Sequence, residues 1–418
     1  MTGSSAPPVP LSVLDLSPVV AGSTPAEALR HTVALAQHAE ALGYHRFWLA
    51  EHHFVAVASS STTTLLALVA AATERIRIGS AAVQLGHHTP ASVVEAFGTI
   101  DALHPGRLDL GLGRSGQKRG EALAAARQSQ VAGSNGSGSN GSGPNGSGST
   151  PPSTPEHVVD GLLIPQSFPL EKLLGSPRIA ASAAALQQPG AATPDFDAAV
   201  ADILALLDGT FTVDGHPLSA VPGEHADVEV WIFGSSKGQS AQVAGARGLP
   251  FVANYHVSPA TTLEAVEAYR AAFRPSDRLS QPYVVVSADV VVAEDTPTAE
   301  HLAATYGHWV HSIRAGGGAA PYPDPRTTGP LDDDQRAVVA DRTRTQFVGD
   351  AGRVAERLQT LARVTGADEL VITSVTHDAD DRRRSHELLA REWGLVSASG
   401  RTTPSPAAPD SPAASGRS

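Results

Sequence analysis

The chain has 418 residues, 41% of them hydrophobic and none of them cysteine. That is room for one large α/β core with additions, barrels of about 250 residues commonly folding as one domain. The missing thiols exclude disulfides, thiolate metal centres, iron–sulfur clusters and a cysteine nucleophile. A formal charge of -12 with no long basic run argues against nucleic acid or an anionic membrane as the main partner, so any bound phosphate needs a local cradle.

Residues 1–10 are polar and proline-rich and read as a disordered N-terminus. They lack the basic and apolar regions of a signal peptide, and no apolar run reaches membrane-spanning length, so a cytoplasmic protein is expected. Residues 11–17 form the first strand candidate. Thr24-Pro25-Ala26-Glu27 then combines an N-cap, proline in the first turn and a capping-box acid, opening a helix to Leu42 that Gly43 ends. A second strand over 45–51, a helix over 62–75, a third strand over 76–83, a helix from Pro90 to Leu103 and a fourth strand over 107–113 complete four βα units in a row.

Regularity stops after the fourth unit. Residues 133–155 are mostly Gly, Ser and Asn, with Asn-Gly-Ser-Gly at Asn135, Asn140 and Asn145, a composition too poor in apolar surface to offset the entropy of ordering. They are expected to be a disordered insertion acting as a flexible linker. Residues 156–194 are irregular but hold Leu162, Leu163, Ile164 and Phe168, which predicts a segment folding over the barrel mouth as a lid. The pattern resumes with a helix over 195–207, a strand over 228–233 ending at Gly234-Ser235-Ser236, and a helix through Ala246. Further strands follow over 251–254, 283–292 and 369–373, interleaved with helices opened after Pro259 and by Pro297 and over 350–364, and a charged helix reaches Trp393. The glycines at 316–318 and the prolines up to Pro330 mark a long loop, and 397–418 reads as a disordered tail. About eight strands alternate with helices, the number that closes a parallel (β/α)8 TIM barrel, here one domain over 11–396.

Chemistry-bearing side chains cluster where strands end, which in such a barrel is the functional rim. The second strand runs into Glu51-His52-His53; neighbouring side chains on a strand point to opposite faces, so the two histidines are not expected to share one task. The third ends in Ser80-Ala81-Ala82, small enough for a planar ring to approach the backbone. Arg114 leaves the fourth strand with a guanidinium suited to a phosphate, a surface ion pair being the plain alternative. Gly234, Ser235 and Ser236 precede a helix whose free N–H groups and dipole favour an anion, and Ser240 lies near its first turn, although serine and glycine also serve as ordinary caps there. Asn254 and His256, with Tyr255 between them, end another strand and are candidate pocket residues. His87 and His88 sit at the rim and could touch substrate, exposed loop histidines being equally expected. His308 and His311 have a possible metal spacing with no third ligand nearby, so no metal is expected.

These motifs together resemble a known family, the bacterial-luciferase-like flavin-dependent oxidoreductases. The likeness is carried by Leu49-Ala50-Glu51-His52-His53-Phe54, by Ile76-Arg77-Ile78-Gly79-Ser80-Ala81-Ala82-Val83, by His104-Pro105-Gly106-Arg107-Leu108-Asp109-Leu110-Gly111-Leu112-Gly113-Arg114, and by Gly234-Ser235-Ser236 leading to Gly248-Leu249-Pro250-Phe251. The resemblance implies a luciferase-like barrel with flavin at the C-terminal rim and a non-proline cis peptide at Ala81-Ala82. It also implies that the FMN phosphate sits between Arg114 and the serine loop, and that His52 is the acid/base residue beside the flavin, with Glu51 and His53 supporting. The reaction it implies is a monooxygenation, with reduced FMN and dioxygen oxygenating a small aldehyde- or ketone-like substrate. A separate flavin reductase and a homodimer are expected partners. A deazaflavin coenzyme used for hydride transfer is the alternative within the family. A barrel metallohydrolase and a non-catalytic flavin-binding partner subunit are the alternatives outside that chemistry, the latter disfavoured by the retained His52. No dinucleotide fingerprint is evident: Gly111-Leu112-Gly113-Arg114-Ser115-Gly116 resembles half of one, and no acidic strand end follows at the right distance.

Overall fold

Eight short apolar runs pair side by side and in parallel, and the last returns to the first. The computed structural model describes residues 8–114, 155–169, 176–188, 191 and 194–396. Residues 1–7 of the N-terminal stretch, the low-complexity insertion apart from Pro155, and the 397–418 tail lie outside the described residues. The barrel strands are β1 (Leu11–Asp15), β2 (Arg46–Leu49), β3 (Arg77–Ser80), β4 (Leu108–Gly113), β5 (Val228–Gly234), β6 (Phe251–Ala253), β7 (Val284–Ala293) and β8 (Glu369–Thr373). Each pairs in parallel with the next, and β8 pairs with β1 in the register Leu11↔Leu370 to Leu14↔Thr373, which closes the ring without a free edge.

Local signals fix the helices around the ring. The helix Pro25–Ala41 carries the expected capping box, with the Thr24 hydroxyl accepting from the Glu27 N–H and the Glu27 carboxylate accepting from the Thr24 N–H. The Thr89 hydroxyl caps Pro90–Leu103 by accepting from the Ser92 N–H, without the reciprocal half of a capping box. The expected helix around Trp309 is two pieces, Thr296–Ala303 and Tyr306–Ser312. Elements that were not anticipated include a helix Asp333–Thr343 and a short strand Phe347–Asp350 that pairs in parallel with the end of β7. The helix begins with its own capping box, Asp332 with Gln335, a signal present in the sequence.

Side chains facing the bore form layers. At the N-terminal end Arg46 is enclosed by carboxylates, 2.7 Å from Asp109 and 3.3 Å from Glu369, while Arg77 pairs with Asp109 at 2.6 Å. Buried charges persist only when paired in this way. Above them Trp48 packs edge-on against Trp231 at 5.5 Å and Phe233 at 5.3 Å. Two glycines make room for these rings: a Cβ on Gly79 would lie 2.5 Å from the Trp48 ring, and one on Gly111 would lie 2.5 Å from Phe233 and 1.9 Å from the Ser80 carbonyl oxygen. The aromatic layer fills the bore, so open space begins only at the C-terminal ends of the strands.

Candidate functional site

A cavity of about 690 Å³ opens above that layer. This lies within the range of about 300–1,000 Å³ usual for small-molecule and cofactor sites. Glu51, His52, His53, Ala81, Ala82, Arg114, Gly234, Ser235, Ser236, Ser240, Asn254 and His256 all line it, so residues spread over two hundred positions of sequence meet in one space.

One end has the character of a cradle for a flat, phosphorylated molecule. The peptide between Ala81 and Ala82 is cis, as the family resemblance implied. Beside it a Cβ on Gly113 would come within 3.2 Å of the Ala82 methyl, and a Cβ on Gly234 would strike the Phe251 ring at 2.7 Å and the Ser240 Cβ at 3.0 Å, so the floor tolerates no larger side chain. Arg114 follows β4 directly. The serine loop leaves β5 and is tied down by the Thr261 hydroxyl, which donates to the Ser235 carbonyl. The helix Gln239–Ala246 starts at Gly238, and Ser240 is buried in its first turn. A guanidinium, three serine hydroxyls and a helix start with its positive end suit a phosphate. These residues fit a flavin mononucleotide.

The β2 end supplies acid/base groups of two kinds. Glu51 is buried, and its Oε1 lies 3.0 Å from Nε2 of His53 and 3.1 Å from Nε2 of His88. Burial alone would raise the carboxyl, but the hydrogen bonds from His53 and His88 outweigh it and hold it at about 2. The same contact with Glu51 raises the His88 imidazole against its burial. Glu51 also accepts from the Gln84 N–H at 3.4 Å, and its carbonyl accepts from the Gln84 side chain at 2.7 Å. His256 is of the opposite kind: burial, helped by the charges of Arg342 and His52, pushes it down to about 3, so it is a neutral imidazole, with Nδ1 2.5 Å from the Ser287 hydroxyl.

Several wall residues were not anticipated. Asp289 of β7 and Arg342 face the cavity, as do Arg178, Trp309, Arg314 and Asp341, and Phe168 of the expected lid segment lines it with them. Arg314 lies over the Phe168 ring at 4.0 Å and grips Asp341 with both ends of its guanidinium. Ser287 and Asp289, spaced two apart in an otherwise apolar strand, were a legible sign of polar groups turned toward one face.

Other expectations are corrected. Ser80 does not line the cavity; its buried hydroxyl donates to the Gly111 carbonyl at 2.9 Å and accepts from the Gly111 N–H at 3.0 Å, tying β3 to β4. His87 and His88 stand behind the cavity wall, His88 bonded to Glu51 and the His87 ring edge-on to His53 at 5.8 Å. Nε2 of His308 faces the Gly329 carbonyl at 2.8 Å, and among the described residues no group of three or more His, Asp or Glu is placed to hold a metal. Within 156–194, Leu162 and Ile164 form a hairpin strand that packs into the main core. Elsewhere in the expected lid segment, Ser167, Phe168 and the helix Pro177–Ala185, through Arg178, Ile179 and Ser182, line the cavity. No described helix is long and apolar enough to cross a membrane.

Comparison with known proteins agrees with this architecture. A "luciferase-like monooxygenase" of Escherichia coli (strain K12) is 30% identical over 383 residues, covering 91% of this chain and 96% of its own. The structure of apo-MsnO8 superposes with a TM-score of 0.69 at 29% identity, over 93% of this chain and 98% of that one. The oxygenating constituent of 3,6-diketocamphane monooxygenase of Pseudomonas putida, a type II Baeyer-Villiger monooxygenase solved in complex with FMN, shares the fold at 16% identity, with a TM-score of 0.55 over 92% and 97%. The family model described as luciferase-like monooxygenase matches residues 9–129 and 181–369, and the chain belongs to that family.

Proposed function

We propose that the protein is a flavin-dependent monooxygenase that uses reduced FMN and dioxygen to oxygenate a small aldehyde- or ketone-like substrate. The observation that carries this reading is the convergence, in one cavity, of Arg114, the serine loop at a helix start, the side-chain-poor Ala81–Ala82 step and the His52 imidazole. When bound, the cofactor supplies the electrons and the activation of dioxygen.

The chain's own residues bind, orient and move protons. Arg114 with Ser235, Ser236 and Ser240 holds the phosphate, and Ala81, Ala82 and Gly234 leave space for the ring. His52 exchanges a proton with the reacting groups, since an imidazole is the side chain best matched to neutral pH. Glu51, through His53 and His88, fixes the backbone from which His52 projects. Asn254 and the neutral His256 complete the wall, and Phe168, Trp309 and Ile313 keep the substrate space apolar. A separate flavin reductase supplies reduced cofactor. A homodimer is part of this reading, supported by Leu68 and Leu103, which stand exposed on the adjacent helices Thr62–Ala72 and Pro90–Leu103.

Titrating the purified protein into FMN and following flavin fluorescence tests the proposal; the emission is expected to quench with saturation. The absorption spectrum of pigment released from the purified protein separates FMN from a deazaflavin, and a deazaflavin spectrum would replace oxygen insertion by hydride transfer.

A further inference from the structure

One carboxyl on the cavity wall, Asp289, lies outside the proposed cofactor cradle. Every residue of β7 is buried, and Asp289 is only 4% exposed. Alternation along the strand puts Ser287 and Asp289 on the bore side, opposite Val371 and Thr373 of β8. Burying a carboxyl in such a strand costs free energy that its neighbours must offset.

Asp289 is partnered unevenly: Tyr306 and Gln346 donate hydrogen bonds to the carboxyl, and Arg342 stands beside it. Its Oδ2 lies 3.8 Å from Nη2 of Arg342, beyond hydrogen-bond length, and that nitrogen donates instead to the Tyr306 hydroxyl at 2.6 Å. Its Oδ1 is closed to solvent and has no hydrogen-bond partner among the described residues. The groups that bear on the carboxyl are Arg342, Tyr306 and Gln346, and His256 is bonded to Ser287 one step below it. Burial outweighs the pull of the Arg342 guanidinium and pushes Asp289 up to about 6.

Position in the ring gives this acid its task. Strand β7 lies four places from β3 in either direction, and β6 four places from β2. Asp289 and His256 therefore occupy the wall across the mouth from the Ala81–Ala82 step and from His52. A flat molecule lying against that step would leave the space on its other side to them.

We infer that Asp289 is a second catalytic residue, an acid on the substrate side of the cavity that hydrogen-bonds an oxygen atom of the reacting substrate and passes its proton to it. The O–H bond of the carboxyl breaks as an O–H bond forms on the substrate oxygen, and no electrons leave or enter. The resulting carboxylate is held by the fixed charge of Arg342, and water entering through the mouth restores the proton. This assignment rests on the reading of the chain as a monooxygenase, and it favours substrates that present an oxygen acceptor such as a carbonyl.

The test uses the full chain with the substitutions Asp289→Asn and Asp289→Glu. Infrared spectra of the protein without cofactor should contain a protonated-carboxyl band that titrates near pH 6, is lost in Asp289→Asn and is moved in Asp289→Glu; this readout is independent of flavin. In the FMN-loaded enzyme with cyclohexanone as probe, Asn should lower kcat about 100-fold and remove the pH limb near 6, and Glu should restore much of both, with FMN quenching the same in all three proteins. Absence of the band, or wild-type turnover and pH dependence in Asp289→Asn, overturns the assignment. Failure of the wild type to quench FMN overturns the monooxygenase reading instead, while the infrared band still decides whether Asp289 is held as an acid.

Discussion

Nε2 of His88 lies 3.1 Å from Oε1 of Glu51, joining the turn after β3 to the end of β2 through one buried carboxylate. The contact runs behind the cavity wall rather than across it. It fixes the ground on which His52 stands, and it has a definite pH signature.

For Glu51→Gln a loss of stability on the order of 2–3 kcal/mol is expected at pH 6, from the fall of the carboxyl from 4.5 to about 2. A depressed acid contributes stability above its unfolded value and loses it as pH falls through the folded one, so the difference from wild type should shrink towards pH 2. His88, raised by the same contact, contributes below 6.5 and loses its share as pH rises through its folded value. Urea denaturation at several pH values checks this; a penalty that does not change between pH 6 and pH 2 would contradict the electrostatic account.

His52→Ala should leave FMN affinity nearly unchanged and lower substrate oxygenation at least about 100-fold, the usual scale for losing an acid/base group. Fluorescence titration and product analysis on the same preparation separate the two effects. Full turnover would remove His52 from the chemistry.

Arg114→Gln removes a fixed charge from the proposed phosphate cradle. A loss of about 1.5–3 kcal/mol is expected, or roughly ten- to a hundredfold in the Kd for FMN. Riboflavin, which lacks the phosphate, should bind wild type and variant alike. An equal loss for both ligands would place Arg114 away from the phosphate.

Gly111→Ala should destabilise the barrel by about 3 kcal/mol or more, at the upper end for overpacking. The added methyl would meet the Ser80 carbonyl at 1.9 Å, and a backbone atom within a closed ring cannot move aside as a side chain can. Chemical denaturation gives the magnitude, and near-ultraviolet circular dichroism reports the disturbed packing of Trp48 against Phe233.

What the sequence made legible follows from how local each signal is. Strands and helices of the first four units were readable because openers such as the Thr24 cap and Pro90, and stops such as Gly43, act within one turn. That the residues of the proposed cradle share one cavity was readable because they sit at strand ends, where small and polar residues interrupt apolar runs. Ser80 misled because one residue of register decides whether a side chain meets the cavity or the neighbouring strand. Beside the expected His256, the rest of the far wall went unread, since Asp289 and Arg342 lie 53 positions apart and meet only once the ring is closed. The helix that carries Arg342 was passed over even though Asp332 and Gln335 announce its start, because its mixed surface has no strong apolar stripe.

The edge-on indoles of Trp48 and Trp231 have a consequence for the order of events. A tube stoppered from beneath has a single doorway, so whatever settles deepest must arrive first and depart last. In the proposed reaction dioxygen, protons and organic reactant would all queue on one side, and a late guest in that doorway would become the cork that keeps bulk solvent from the business below.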